Sequence, residues 1–274
     1  GVVGGRVDSF FNTTLLDRYE QTHSSLIMGT HIKRSSDKDK FFYVPSCNLL
    51  VKKDLFLKVG GFNPDLAVGE DVDLCWRIQD VGFAVEFRPD GGVFHRHRNR
   101  INAFCRRRFD YGTSEPLLQK LHPDRKKRFY FPAGGFFFSF YLLFFCPVIV
   151  LADSILKYFK TRKLKIPVHF LQHIKSVVRS YAVLFFHCAE FVSRYYLFWT
   201  LALFPVFPGT SVFSMGLHLF SSLVDFVIKK PLIRIPGFFF YYTLEQLSYQ
   251  TGVWAGAMRH FSFRPVAPVI TFHK

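Results

Sequence analysis

The pattern of apolar and polar residues changes near residue 130. Residues 1–115 mix the two kinds as a layered α/β domain does. Gly1 to Val7 reads as a short strand and Thr14 to Gln21 as the start of a helix. Ser35 to Lys40 reads as a charged, solvated loop. Phe41 to Val44 reads as a strand leading through Pro45-Ser46-Cys47 into Asn48 to Val51. Lys52 to Val59 predicts a helix closed by Gly60-Gly61, because glycine adopts the left-handed geometry that ends helices. Asp71 to Asp80 places Leu74 and Ile78 four apart, with Val81 next on that face, and stops at Gly82. Phe83 to Phe87 alternates like a strand and ends in the turn Arg88-Pro89-Asp90-Gly91. Alternating strands and helices predict an α/β sheet.

A basic segment follows, with Asp124-Arg125-Lys126-Lys127-Arg128 at its centre. Ala133 to Ala152 then runs for 20 residues without a charge. At roughly 1.5 Å per residue that is about the thickness of a bilayer core. Two later apolar stretches are weaker. Pro205 and Pro208 interrupt Tyr195 to Val212, and Asp225 sits within Ser211 to Ile228. Basic clusters flank the first stretch on both sides, Arg125 to Arg128 and Lys157 to Lys165, whereas a single crossing favours one side. A hairpin, a re-entrant segment or an interfacial helix accounts for that better.

The chain has 274 residues, is 49% hydrophobic with 36 Phe, and carries a formal net charge of +16. So much apolar surface excludes disorder. The charge calls for an anionic partner: membrane lipid, a phosphorylated ligand or nucleic acid. Nucleic acid ranks last, because the aromatics sit in apolar runs and the basic residues in flanking segments, whereas stacking platforms interleave them. The five cysteines are scattered, with no C-x-x-C pair, so neither a zinc site nor a disulfide framework is indicated. A cytosol-facing environment fits.

Three clusters carry candidate chemistry. The first is Gly69-Glu70-Asp71-Val72-Asp73-Leu74-Cys75-Trp76-Arg77, after Gly60-Gly61-Phe62. Its carboxylates fit two jobs. Asp71 can cap the helix with Asp73 in the first turn, complementing free amides and the helix dipole. Alternatively, a crowded carboxylate pair contains a member suited to accept a proton. The second is Val93-Phe94-His95-Arg96-His97-Arg98, where alternation aims His95 and His97 the same way. Two histidines fit either part of a metal site or a solvated strand end. The third is Arg106-Arg107-Arg108-Phe109-Asp110-Tyr111-Gly112, whose forks suit diphosphate oxygens or simply face solvent.

In this order the clusters resemble the second half of family 2 glycosyltransferases with a GT-A fold. With Tyr249-Gln250-Thr251-Gly252-Val253-Trp254-Ala255-Gly256, they are similar to the mycofactocin-biosynthesis subgroup. The resemblance implies a catalytic-domain half at 1–117, a basic linker at 118–132, and a mostly helical, membrane-associated region at 133–274. It implies inverting transfer of a sugar, glucose from UDP-glucose, to a hydroxyl of a small or peptide-derived acceptor, on the cytoplasmic side of a membrane. Asp71 would be the base and Glu70 would polarise the site. Asp73, Arg77, Arg106, Arg108 and Phe109 would meet substrate. A divalent metal, Mg or Mn, would sit near His95 and His97. Phe109 stands where processive relatives have Trp, and Cys105 where they have Gln, which argues against polymer synthesis. Asp71-Val72-Asp73 mimics the family's metal motif but opens a helix instead of ending a strand, so it is not read as one. The donor half is expected upstream of Gly1, and the 274 residues alone are expected to be inactive. A non-catalytic membrane scaffold is the alternative.

Overall fold

Short strands, each three or four residues long, are held together here by helices that bury their faces. The computed structural model describes residues 1–37, 41–125, 127–131, 147–165, 167 and 169–272. The main sheet has the order β3-β5-β1-β4, with β1 at Val2–Gly4, β3 at Lys33–Ser35, β4 at Leu49–Val51 and β5 at Val85–Phe87. Strand β1 runs parallel to β5 and antiparallel to β4, in the register Val2 to Val51. A second, parallel pair joins β2 (Val7–Ser9) to β6 (Val93–His95). Helix α3 (Glu70–Asp80) covers the main sheet, burying Leu74, Cys75 and Ile78 against Val2, Val85 and Phe87.

Several expectations need adjusting. Gly1 to Val7 is two strands, broken at Gly5-Arg6. Phe41 to Val44 forms no strand; Val44 is fully buried against Gly4, where a Cβ would overlap it. Ser35 is a buried strand residue, and residues 38–40 of that loop lie outside the described ones. Helix α2 (Lys53–Lys58) does close on Gly60 and Gly61, with φ of +83° and +68°. Helix α1 (Leu15–His23) starts on a capping box, in which Thr14 Oγ1 accepts from Asp17 N and Asp17 Oδ2 accepts from Thr14 N.

Helix α4 (Ile101–Leu121) runs past residue 117, and the basic segment after it is not solvated throughout. His122 and Arg125 are buried on α3, where Arg125 donates to Gln79 Oε1 at 2.7 Å and Asp80 Oδ1 at 2.9 Å. Strand β7 (Arg128–Phe131) pairs in parallel with β8 (Val269–Phe272), joining the middle of the chain to its end. Of the uncharged stretch 133–152, residues 133–146 lie outside the described ones, and the rest opens helix α5 (Pro147–Lys163).

Four more helices follow: α6 (Phe170–Tyr195), α7 (Leu197–Ala202), α8 (Pro208–Lys229) and α9 (Ile235–His260). The stretch Tyr195 to Val212 is interrupted at its prolines as expected: α7 ends at Ala202 and Pro208 opens α8, where a first-turn proline sacrifices no helical hydrogen bond. Asp225, within the second stretch, lies in α8 and turns inward to His23 and Lys229. By length and apolar composition, α8 could cross a membrane. Helix α9 lies along α4, and Ile233, Phe238 and Tyr242 share one core with Leu16, Tyr19 and Phe104.

Candidate active site

Gly69 adopts φ +83°, a left-handed turn that feeds directly into α3. The residue before the helix is therefore Gly69, and Asp71 is not a cap but lies in the first turn. Its Oδ2 accepts from the Ser46 amide at 3.2 Å and its Oδ1 from the Val72 amide at 2.8 Å. Glu70 Oε1 accepts from Ser46 Oγ at 3.3 Å. The turn after Pro45 thus docks on both carboxylates. Burial, and then the neighbouring Glu70 charge, push the Asp71 carboxyl up to about 6, against the pull of the amides it accepts from.

Asp73 turns the other way. Its Oδ2 accepts from Arg77 at 2.6 and 2.9 Å, and its Oδ1 lies 2.8 Å from His122 Nε2. Burial opposes its charge, but His122 and Arg77 outweigh burial and hold the carboxyl below its usual range. Arg77 also donates to the carbonyls of Val59 and Gly61, pinning the loop between α2 and α3. Asp73 and Arg77 therefore brace the approach to the site, and neither faces the cavity. The carboxylates of Asp71 and Asp73 thus have separate partners.

The cavity beside Asp71 has a volume of about 380 Å³. Glu70 and Asp71 form one wall; His95, His97 and Arg98 come from the end of β6; Arg107, Arg108 and Tyr111 come from α4. Helix α6 adds Arg194, and α9 adds Glu245 and Tyr249. The rings of His95 and His97 lie 4.9 Å apart, on the same side as alternation predicts. Burial lowers both, and His97 falls to about 4, helped by His95 and Arg108. His95 Nδ1 is buried without a partner, whereas His97 Nδ1 lies 3.4 Å from Glu20 Oε2. Among the described residues, no three His, Cys, Asp or Glu side chains converge to hold a metal. The neutral histidine pair is an incomplete donor set, so these residues alone do not make the expected Mg or Mn site.

The arginine triplet separates on the helix. Arg106 is exposed and away from the cavity. Arg107 lines it, with its guanidinium 4.7 Å from the Tyr111 ring centre. Arg108 is buried between Glu20 Oε1 at 2.8 Å and Glu245 Oε1 at 3.3 Å. Phe109 does not line the cavity; its carbonyl meets Gly252 of α9. Burial raises Glu20 to about 7, with Arg108 pulling it down and Glu245 adding to the rise.

The sequence alone assigned no role to Glu20, Ser46, Glu115, Arg194 or Glu245, and placed Arg107 and Tyr249 in motifs without singling them out. Arg194 and Glu245 carried one available signal, since an ionisable residue in an apolar helix needs a partner. Glu115 is the hub beneath the cavity, accepting from Lys127, Tyr195 Oη and Tyr249 Oη. Burial works against its charge, and Lys127 leads the groups that keep it ionised.

Over 108 residues the chain is 36% identical to the pre-mycofactocin glycosyltransferase of Mycobacterium tuberculosis, a stretch that makes up 39% of this chain and 23% of that protein. Over 111 residues it is 24% identical to the probable glycosyltransferase YdaM of Bacillus subtilis, covering 39% of this chain and 26% of the relative. The matched stretch thus spans about a quarter of the length of these curated relatives. No family model matches the chain, and no solved structure does. The sequence is related to that of glycosyltransferases, mycofactocin ones among them.

Proposed function

We propose that the chain carries the acceptor side of an inverting nucleotide-sugar glycosyltransferase, with Asp71 as the base. The observation that supports this most directly is the Asp71 carboxyl at the wall of a cavity, with its proton affinity raised to about 6. A group of that strength is mostly ionised at neutral pH and still basic enough to take a proton from an attacking hydroxyl. Glu70 raises it by repulsion. The Ser46 amide fixes one of its oxygens, leaving the group oriented along the cavity. Arg98 and Arg107 face the same space and would offset charge building on a leaving diphosphate.

In this reading the domain is the second half of a GT-A sheet, the donor is UDP-glucose, and the acceptor is a small or peptide-derived molecule of the mycofactocin kind. The catalytic side faces the cytoplasm; Cys47, an exposed free thiol on the cavity wall, suits a reducing compartment. No step is assigned to a metal. Membrane lipid enters through the helices after residue 147 and not through the site. A purely structural membrane subunit accounts for those helices, but it leaves a half-buried, proton-hungry carboxylate facing an arginine-lined cavity without a purpose.

The test is Asp71→Asn in the full-length protein, with transfer from UDP-glucose followed by product mass. Transfer should fall at least a thousandfold while donor affinity stays within twofold. Undiminished transfer would remove Asp71 from the role.

A further inference from the structure

Helix α8 is built inside out. Its inward stripe, spaced three and four apart from Ser211 to Asp225, is polar at every buried position but Leu217. His218 and Asp225 find partners on neighbouring helices, while Ser221 and Ser222 donate to carbonyls of α8 itself. Ser193 Oγ lies 2.7 Å from His218 Nδ1, His218 Nε2 lies 2.9 Å from Thr243 Oγ1, and Asp225 Oδ2 lies 3.1 Å from His23. The outward stripe is apolar: Val212 is 65% exposed, Phe213 61%, Val227 68% and Ile228 67%. In water a helix turns the opposite way, because each Å² of apolar surface removed from water gains about 25 cal/mol. In hydrocarbon the preference reverses, since polar groups must be satisfied internally and apolar ones lose nothing outside.

The apolar surface continues round the corner between α7 and α8 through Trp199, Phe204, Val206 and Phe207, all exposed. From Tyr195 to Val224 there is no Asp, Glu, Lys or Arg. The charges that bracket this run are both held by the polar body. Arg194 lines the Asp71 cavity, and Asp225 is paired with His23 of α1. A segment anchored at both ends to one polar body enters an apolar phase and comes back. Where it returns, Lys230 and Arg234 are exposed, and such cations suit anionic headgroups.

We propose that residues 195–224 form a re-entrant wedge that inserts into the hydrocarbon of an anionic bilayer from one side. The outer stripe of α8 meets the acyl chains, and the Asp71 cavity stays on the side from which the wedge enters. The inference rests on this surface and stands apart from the transfer reaction. A second copy of the chain is the other occupant able to cover the same stripe.

The experiment adds the purified chain to sealed phosphatidylcholine vesicles with and without phosphatidylserine. The chain should float with the phosphatidylserine vesicles. Phe213→Glu, a change at an exposed position, should reduce the bound fraction at least tenfold without shifting the melting temperature. Leu50→Glu, on an exposed site of β4, should bind as the parent does. Brominated acyl chains should quench the fluorescence of Trp199, and Trp199→Phe should abolish that quenching. An impermeant maleimide added outside should label Lys230→Cys together with the native Cys47. Protection of residue 230 while Cys47 reacts would mean a complete crossing and overturn the re-entrant geometry. Absence of flotation, with a concentration-dependent dimer lost in Phe213→Glu, would assign the stripe to a second copy and overturn the lipid proposal.

Discussion

Gly112 of α4 and Gly252 of α9 face each other where the two helices touch backbone to backbone. A methyl group on Gly112 would overlap the Tyr249 carbonyl, and one on Gly252 would overlap the Phe109 carbonyl. That contact sets the positions of Arg107 and Arg108 relative to Glu245 and Tyr249. Gly252→Ala is therefore expected to destabilise the protein by about 1–3 kcal/mol, the usual cost of overpacking. Urea unfolding measures it, and an unchanged midpoint would show that the helices stand further apart.

Asp71 should act on stability with a definite sign. Its folded-state carboxyl titrates near 6, above the ordinary 3.8. Between those values the unfolded chain has released the proton while the folded one holds it, so stability falls as pH rises through that window. Asp71→Asn removes the penalty. Its melting temperature should exceed that of the parent at neutral pH, and the gap should close below about pH 4. Parallel melting curves at both pH values would contradict the raised affinity.

Asp73 has the opposite sign. Its carboxyl is held below the ordinary value, so its contribution is complete above about 3.8 and disappears as pH falls through the lower folded value. Asp73→Asn should destabilise by about 3 kcal/mol at neutral pH, because it unpairs Arg77 and His122 in a buried place. Denaturation at a series of pH values should show the loss shrinking in acid. A constant loss would mean that packing, not charge, is responsible.

The neighbouring arginines should separate cleanly. Arg108→Met leaves Glu20 and Glu245 buried without their shared cation and should cost about 3–5 kcal/mol. Arg107→Gln should stay within about 0.5 kcal/mol of the parent but weaken binding of pyrophosphate. Arg106→Gln should change neither. Thermal melts and calorimetric titration with pyrophosphate distinguish the three.

How much of this was legible in the sequence follows from the range of each interaction. Helix α3, its glycine stop and the shared direction of His95 and His97 came from local periodicity, which short segments obey by themselves. The arginine triplet reads as one unit in the sequence, whereas consecutive residues on a helix point about 100° apart, sending Arg106 to solvent and Arg107 to the cavity, with Arg108 buried in its lining between Glu20 and Glu245. The same rotation parts Asp71 from Asp73. Phe41 to Val44 reads as a strand, yet Val44 is buried against Gly4 and no ladder forms, a long-range contact that propensity does not encode. The pairing of Arg108 with Glu20 and Glu245, and of Glu115 with Tyr195 and Tyr249, was illegible for the same reason: these partners lie on elements far away along the chain.

The pairing of Arg108 with Glu245 also sets a timetable. During synthesis Arg108 is made well before Glu245, by roughly 7 to 27 seconds at about 5–20 residues per second. Throughout that interval the cavity lacks its α9 wall, and a cation destined for burial must remain in water. A nascent chain halted in the later helices would hold Asp71 and both histidines with no pocket between them. Assembly of the site is thus a late event, completed only when α9 closes onto α4.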